Sequence, residues 1–223
     1  EPGRPEMGWH SAIQNRDDVV QWVQVDLGRS VEIHRLVLAG CHDDFDGIGK
    51  GFGFPRRYRV ELSDDPEFKA GVLSLEDQTG ADLTNPGVVP HEVAVPGLRG
   101  RHVRITATRL TPRMNDFIFA LSELEVLDEQ GINLALGARV SANDSIEAAP
   151  RWGRDNLTDG WFPGRTQSAT GDSLARLRRE RAALEASPAL AASTARLAPV
   201  RADLDRVVRE ISGLPAQRVV FAG

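Results

Sequence analysis

Between residues 21 and 140 apolar and polar side chains alternate with a period of two, in short runs separated by Gly, Pro, Asn and Asp. A strand turns successive side chains to opposite faces, so this pattern suits half-buried antiparallel strands and not helices. Residues 22–27 set Val23, Val25 and Leu27 on one face and stop at Gly28, and residues 31–39 follow as a neighbouring strand would. Residues 57–63 send Tyr58, Val60 and Leu62 inward against Arg57, Arg59 and Glu61 outward. Residues 101–110 repeat the arrangement with Val103, Ile105 and Ala107 against His102, Arg104 and Thr106. The longest apolar stretch, 117–127, is expected to cross the core as one strand, and weaker strands are expected at 71–75, 91–95 and 133–140. Seven or eight short strands over about 120 residues predict a mainly β chain, as a sandwich or a jelly roll.

After Gly171 the period becomes helical. Leu190, Leu197, Leu204 and Ile211 recur every seven residues, with Val200 and Val207 three further on, the spacing of a coiled-coil seam. Ser187 and Pro188 read as a cap and first helical residue, Gly213 and Pro215 as a stop, and Pro199 as a kink or restart. The expectation is a C-terminal α-helical hairpin over 172–213, a packing or spacer element, followed by the start of a further element at 214–223. The domain boundary is also a charge boundary. Residues 1–130 carry 22 acidic and 14 basic side chains, whereas residues 172–223 carry six and nine.

The whole chain has a net charge of -5, which offers no general basic surface for phosphates, so nucleic acid is not expected as a partner. No apolar run reaches the roughly 18 residues of a membrane span, and the first residues do not read as a signal peptide. Cys41 is the single cysteine, so neither an intrachain disulfide nor a cysteine zinc cluster is available.

Four segments in order carry a resemblance: WVQVDLGRSVEIHRLVL (22–38), PRRYRVELSDDPEF (55–68), GRHVRITATRL (100–110) and FALSELEVLD (119–128). Together they resemble the coagulation factor 5/8 type C, or discoidin-like, family over about half the chain, and GWHS (8–11) resembles the stretch that follows an early Asp-Gly turn in such modules. The resemblance implies a galactose-binding-like jelly-roll β-sandwich, here over residues 1–165. The family's opening strand and its Asp-Gly turn do not precede GWHS. They resemble instead the later run NLALGARVSANDSIEAAPRWGRDNLTDG (133–160), which either begins a second copy or closes the first as a permuted strand. Permutation is favoured, since an orphan strand would leave an unpaired edge. The whole assembly, with its terminal LPAQRVVFAG, is also similar to segments of large multidomain proteins of planctomycete-type bacteria; no CxxCH for haem attachment occurs here.

By the same resemblance, Glu123 on the last strand and Asp159 in the Asp-Gly turn are the positions of a structural Ca2+ site. Calcium takes six to eight oxygens, which a carboxylate or two and main-chain carbonyls supply. A glutamate paired with arginine, or solvated, is the alternative for Glu123. The loop 41–54 (CHDDFDGIGKGFGF) is the most unusual stretch. His42 occupies the first ligand position and Gly53 the twelfth, so it is not an EF-hand, and Lys50 is followed by Gly51, so it is not a P-loop. What it offers is His42, Asp43, Asp44 and Phe45, donors and acceptors beside an aromatic plate, the mixture that suits a sugar. A second loop adds Arg113, Asn115 and Asp116, and Trp9 and His10 are placed with them. The alternative is a solvated acidic loop. Trp22 and Trp152 are expected to pack in the core or at an edge.

No catalytic constellation emerges. His10 and Ser11 are adjacent on extended chain and point apart, and Asp43, Asp44 and Asp46 sit on a Gly-rich loop that fixes no separation between carboxylates. The expected function is non-catalytic binding of a polysaccharide or glycan by a module of a larger exported bacterial protein, placed extracytoplasmically by resemblance, with other domains of the parent as partners. The alternative is a structural module that packs between those domains and binds no sugar.

Overall fold

The computed structural model describes residues 7–165 and, within the last stretch of the chain, residues 196–197, 199–200, 202–204 and 206–208. The chain divides into two units, Glu1–Asp172 and Ser173–Gly223. The first is mainly β, a β-sandwich.

The alternating runs become β1 (Trp9–His10), β2 (Gln21–Ala39), β3 (Cys41–Asp43), β4 (Gly49–Phe52), β5 (Arg57–Ser63), β6 (Leu73–Asp77), β7 (His91–Arg109), β8 (Thr111–Pro112), β9 (Phe117–Ile118), β10 (Ala120–Leu121), β11 (Glu123–Leu127) and β12 (Arg139–Ala142). β2 and β7 run antiparallel along their whole lengths, from Gln21 opposite Ala107 to Leu38 opposite His91. The ladder slips twice, between Asp26 and Val31 and between Ile33 and Arg35. The second slip reverses which parity of residue faces inward. Val23, Val25 and Ile33 enter the main core from odd positions, Leu36 and Leu38 from even ones. The runs 22–27 and 31–39 are thus one bent strand, as are 91–95 and 101–110.

The bend lets one edge of β2 serve two partners. β11 pairs with Arg35–Ala39 and β12 with Val23–Asp26, both antiparallel. On the far side, β7 carries β5 and β5 carries β6. The later segment 139–142 therefore lies in the same sheet as the strands that precede it.

The opposing layer is built from shorter pieces. β1 pairs with β10, Ser11 N–H donates to Phe119 O, and Gln14 pairs with Phe117. Ala120 N–H donates to Gly53 O, which brings the β3–β4 hairpin alongside. Gly53 sits at φ +72°, where a Cβ would lie 2.6 Å from that of Ala120, so only glycine allows this approach. Alternation here feeds two clusters. Phe119 and Leu121 join Trp9 and the first sheet's residues in the main core, while Ile118 and Ala120 pack with Cys41, Phe52 and Trp152 on the other side.

The run 117–127 is not one strand. It changes layer at Ser122, since β10 belongs with β1 and β11 with β2, and Ser122 N–H donates to Ala39 O. A chain crossing between layers is covered on all sides, which is why the stretch is apolar almost throughout. Each fully buried aliphatic side chain contributes about 1.5–3 kcal/mol, so this crossing anchors both layers.

In the second unit the described residues between 196 and 208 are helical, Pro199 among them, and Leu197, Val200, Leu204 and Val207 are exposed. The expected hairpin partner, the Ser187–Pro188 cap, the Gly213–Pro215 stop and the element at 214–223 lie outside the described residues.

Candidate functional site

The β3–β4 hairpin, the 111–116 turn and the segment 144–158 meet around His10. Period two on β3 buries Cys41 and Asp43 and exposes His42. The stretch 41–54 is therefore a paired hairpin with a short 3-10 turn at Phe45–Gly47, and not the unpaired flexible loop its glycines suggest. Asp43 is the pin of this end. Its Oδ1 accepts from Phe45 N–H at 3.1 Å, and its Oδ2 accepts from Arg151 Nη2 at 2.8 Å. The ring of Phe45, 42% exposed, lies 4.8 Å from the guanidinium carbon of Arg113.

Arg113 is itself fixed. Its Nε and Nη2 donate to Asp116 Oδ1 and Oδ2 at 2.9 and 2.7 Å, and its backbone N–H donates to Asp116 O at 2.8 Å, closing the turn. The guanidinium holds the Asp116 carboxyl below its usual range. Asn115 stands exposed at the tip of that turn. His10 lies beneath, 3% exposed, between the rings of Phe52 and Trp152 at 5.9 and 5.1 Å. Burial pushes its pKa down, against the Ser11 carbonyl that its Nδ1 meets. It is a neutral ring at pH 7 that supports the surface from below.

Of the predicted ligand residues, Asp43, Phe45, Arg113, Asn115 and Asp116 share this end, with His10 under them. His42 and Asp44 instead pair with each other at 3.2 Å, the outward members of the alternation around inward Asp43. Trp9 is not at the surface. It is fully buried in the main core, edge-on to Phe119 at 4.9 Å, because β1 pairs with β10 in the opposing layer and Trp9 is on the side of that layer that faces the first sheet. The residue that sequence reasoning missed is Arg151. Its partner Asp43 is 108 positions away, and no local pattern announces such a pair. Trp152 does pack, as expected, and Trp22 lies under the guanidinium of Arg104 at 4.3 Å.

A second polar centre lies where β11 meets the end of the module. Glu123 is fully buried, and its Oε1 accepts from Gly160 N–H at 3.0 Å. Its Oε2 and the neighbouring Ser122 Oγ have no hydrogen-bond partner among the described residues. Burial, with the charges of Asp159 and Glu125, pushes the Glu123 carboxyl well above the ordinary range. Arg165 Nη1 donates to Glu125 Oε1 at 2.6 Å and to Gly160 O at 2.9 Å, tying the Asp159–Gly160 turn to β11. Among the described residues no three His, Cys, Asp or Glu side chains gather as a metal-binding group, so a cation here would need main-chain oxygens as well.

Both layers of the sandwich and the segments resembling discoidin-like modules are now placed, and the F5/8 type C domain model matches residues 2–119. The chain belongs to the F5/8 type C domain family. In this F5/8 type C module residues 120–165 complete the same layers beyond the matched segment.

Among solved structures, the module is similar to CpGH89CBM32-5 from Clostridium perfringens in complex with GalNAc-β-1,3-galactose, at 17% identity and TM-score 0.41 over 56% of this chain and 78% of that one. It is similar to a Streptococcus pneumoniae fucose binding module, SpX-3, at 17% identity and TM-score 0.35 over 51% and 69% of the two chains. It is also similar to chitosan-binding module 1 of a chitosanase/glucanase from Paenibacillus sp. IK-5, at 21% identity and TM-score 0.37 over 51% and 73%. No curated protein matches the chain. Among the described residues no helix is long and apolar enough to cross a membrane.

Proposed function

We propose that this chain is a non-catalytic carbohydrate-binding module of a larger exported bacterial protein, and that it meets its glycan at the rim formed by Phe45, Arg113, Asn115 and Asp116. The observation that carries this reading is the half-exposed Phe45 ring with the Arg113–Asp116 pair locked against it. A sugar offers a C–H face to an aromatic plate and hydroxyls to oriented donors and acceptors, and here both are preset by Asp43 and by the 113–116 turn. Preset side chains lose little rotamer freedom on binding, which favours affinity. His10 and Asp43 act from below, the first by packing and the second by fixing Phe45 and Arg151. The glycans bound by the similar modules from Clostridium perfringens and Streptococcus pneumoniae agree with this class of partner.

A glycan array of plant, algal and microbial polysaccharides, probed with the full chain, tests the reading. Binding is expected, with Phe45→Ala and Arg113→Ala each lowering affinity about tenfold, the scale of losing a contact worth about 1.4 kcal/mol. Asn115→Ala, whose side chain makes no hydrogen bond among the described residues, separates loss of ligand contact from loss of the turn. Silence across the array refutes the reading. The exposed Leu197, Val200, Leu204 and Val207 support a second one, in which the helical segment packs against other domains of its parent.

The Glu123 centre is proposed to hold Ca2+. Its Oε2, without a hydrogen-bond partner among the described residues, and the nearby charge of Asp159 suit a hard cation that takes oxygen ligands. Glu123 and Asp159 would supply the charge, and the cation would tie the 159–160 turn to β11.

A further inference from the structure

The edge strand β6 turns a carboxylate towards the covered face of the sheet. β6 ends the order of the six-stranded sheet and pairs, among the described strands, with β5 alone. Glu76 stands opposite Val60, a residue of the main core, so the two share a face. The Glu76 side chain is 14% exposed. A charge pointing inward from an edge strand guards that edge against pairing with another chain, but half-buried it must find partners of its own.

It finds three. His91 Nε2 lies 2.9 Å from Glu76 Oε1 and 3.1 Å from Oε2, Tyr58 Oη donates to Oε2 at 3.3 Å, and Gln78 Nε2 donates to Oε1 at 3.3 Å. Tyr58 belongs to β5 and Gln78 follows β6 directly, whereas His91 opens β7, a strand that does not pair with β6. The Tyr58 ring meets the His91 ring edge-on at 6.2 Å and steadies the imidazole against the carboxylate.

Of these donors only His91 changes charge near neutral pH. Its hydrogen bond to Glu76 raises its pKa above 6.5, against the burial that lowers it, and Glu76 is the charge that acts on it. The Glu76 carboxyl stays below its usual range although burial, the largest influence, opposes this, and His91 is the charge that acts in return. Tyr58, its pKa pushed up by burial, keeps its proton. The other charges on the surrounding elements turn elsewhere. Glu92 meets Arg35 of β2, Asp77 accepts from Thr79, and on β5 Arg59 meets Glu61 and Arg57 meets Asp82. Opposite His91 on β2 stands Leu38.

We propose that His91 and Glu76 form a proton-dependent latch on the edge of the sheet, which holds β6 in place while His91 is charged and loosens it when His91 is neutral. The charged ring makes a charge-assisted pair, the neutral ring only an ordinary hydrogen bond, so at higher pH β6 opens more often and bares the edge of β5. Because the folded pKa of His91 is raised, the latch is complete below pH 6.5 and is lost as pH rises through the folded value. It uses no residue of the rim and does not rest on the carbohydrate reading.

Amide hydrogen exchange of the full chain between pH 5.5 and 8.5, corrected for the intrinsic rate of each amide, tests it. Protection of residues 74–77 relative to that of Val103 and Ile105 in β7 is expected to fall about fivefold across this range, the scale of a partly exposed ion pair. In His91→Gln, which keeps a donor but cannot titrate, the ratio is expected to stay constant. The His91 ring, followed by NMR, should titrate above pH 6.5 in the parent and at or below it in Glu76→Gln. A ratio in the parent that does not change with pH overturns the proposal, as does a His91 midpoint at or below 6.5 there, and neither result needs a variant to fold. An equal fall in His91→Gln, or a His91 midpoint unmoved in Glu76→Gln, overturns it too.

Discussion

Replacing Glu123 by glutamine tests the second polar centre through its pH dependence. The carboxyl is fully buried and its pKa is raised well above 4.5, so above that pH the native state holds a proton that the unfolded chain releases. Stability from this group is complete below pH 4.5 and is lost as pH rises towards the folded pKa. The slope is about 1.36 kcal/mol per pH unit while the native form stays protonated. For a chain of this size 1 kcal/mol shifts the thermal midpoint by about 2–4 °C, so the wild type should lose about 3–5 °C per pH unit relative to Glu123→Gln. The glutamine carries a constant penalty as well. Its carbonyl still accepts from Gly160 N–H, but its amide lies where Oε2 has no partner, a cost of about 1–3 kcal/mol that does not vary with pH. The convergence or crossing of the two midpoint curves is therefore the signal, whatever their separation at any one pH. Circular dichroism melts in chelator, from pH 4.5 to 7.5, give both curves. Parallel curves would refute the argument that Glu123 resists ionisation. Added Ca2+ should flatten the wild-type curve and leave that of Glu123→Gln unchanged; equal responses would remove Glu123 from the proposed cation site.

Gly53→Ala should cost about 1–3 kcal/mol, since the new Cβ meets Ala120 at 2.6 Å on a backbone at φ +72°. A urea midpoint equal to that of the parent would contradict the close approach of the β3–β4 hairpin to the 117–121 segment. Arg101 donates to Asp26 at 2.7 and 2.8 Å and is the leading cause that holds its pKa at about 2. In Arg101→Ala the Asp26 titration, followed by NMR, should move most of the way back to about 3.8; an unmoved titration would refute the pairing. Stability from the pair is present above pH 3.8 and is lost as pH falls through about 2, and the partial exposure of both side chains keeps it below about 1 kcal/mol.

Alternation alone located strands where few long-range facts were needed. Residues 57–63 form β5 with the bounds their pattern suggests, since a half-buried strand displays both of its faces in its own residue order. The same reading separated 22–27 from 31–39, although the two are halves of one bent strand, because an irregularity in the ladder looks locally like a turn. It joined 117–127 into one strand because a segment covered on both sides has no polar interval to mark where it changes layer. Asp43, Phe45, Arg113 and Asp116 were legible as residue types in loops. That Arg113 lies over Phe45, that Arg151 reaches Asp43, and that Trp9 faces inward were not legible, because each depends on contacts between segments far apart in the chain.

The order of residues showed where the chain is extended and which side of a half-buried strand such as 57–63 is covered, because burial and the pleat act over two or three neighbouring positions. Only the folded chain decided what those strands meet. The same edge of β2 takes β11 at one end and β12 at the other. The carboxyl of Glu123 loses its water without gaining a full set of partners among the described residues. Loops 108 residues apart close into one surface. Side-chain chemistry is written in the sequence, but solvation and pairing belong to the assembled neighbourhood.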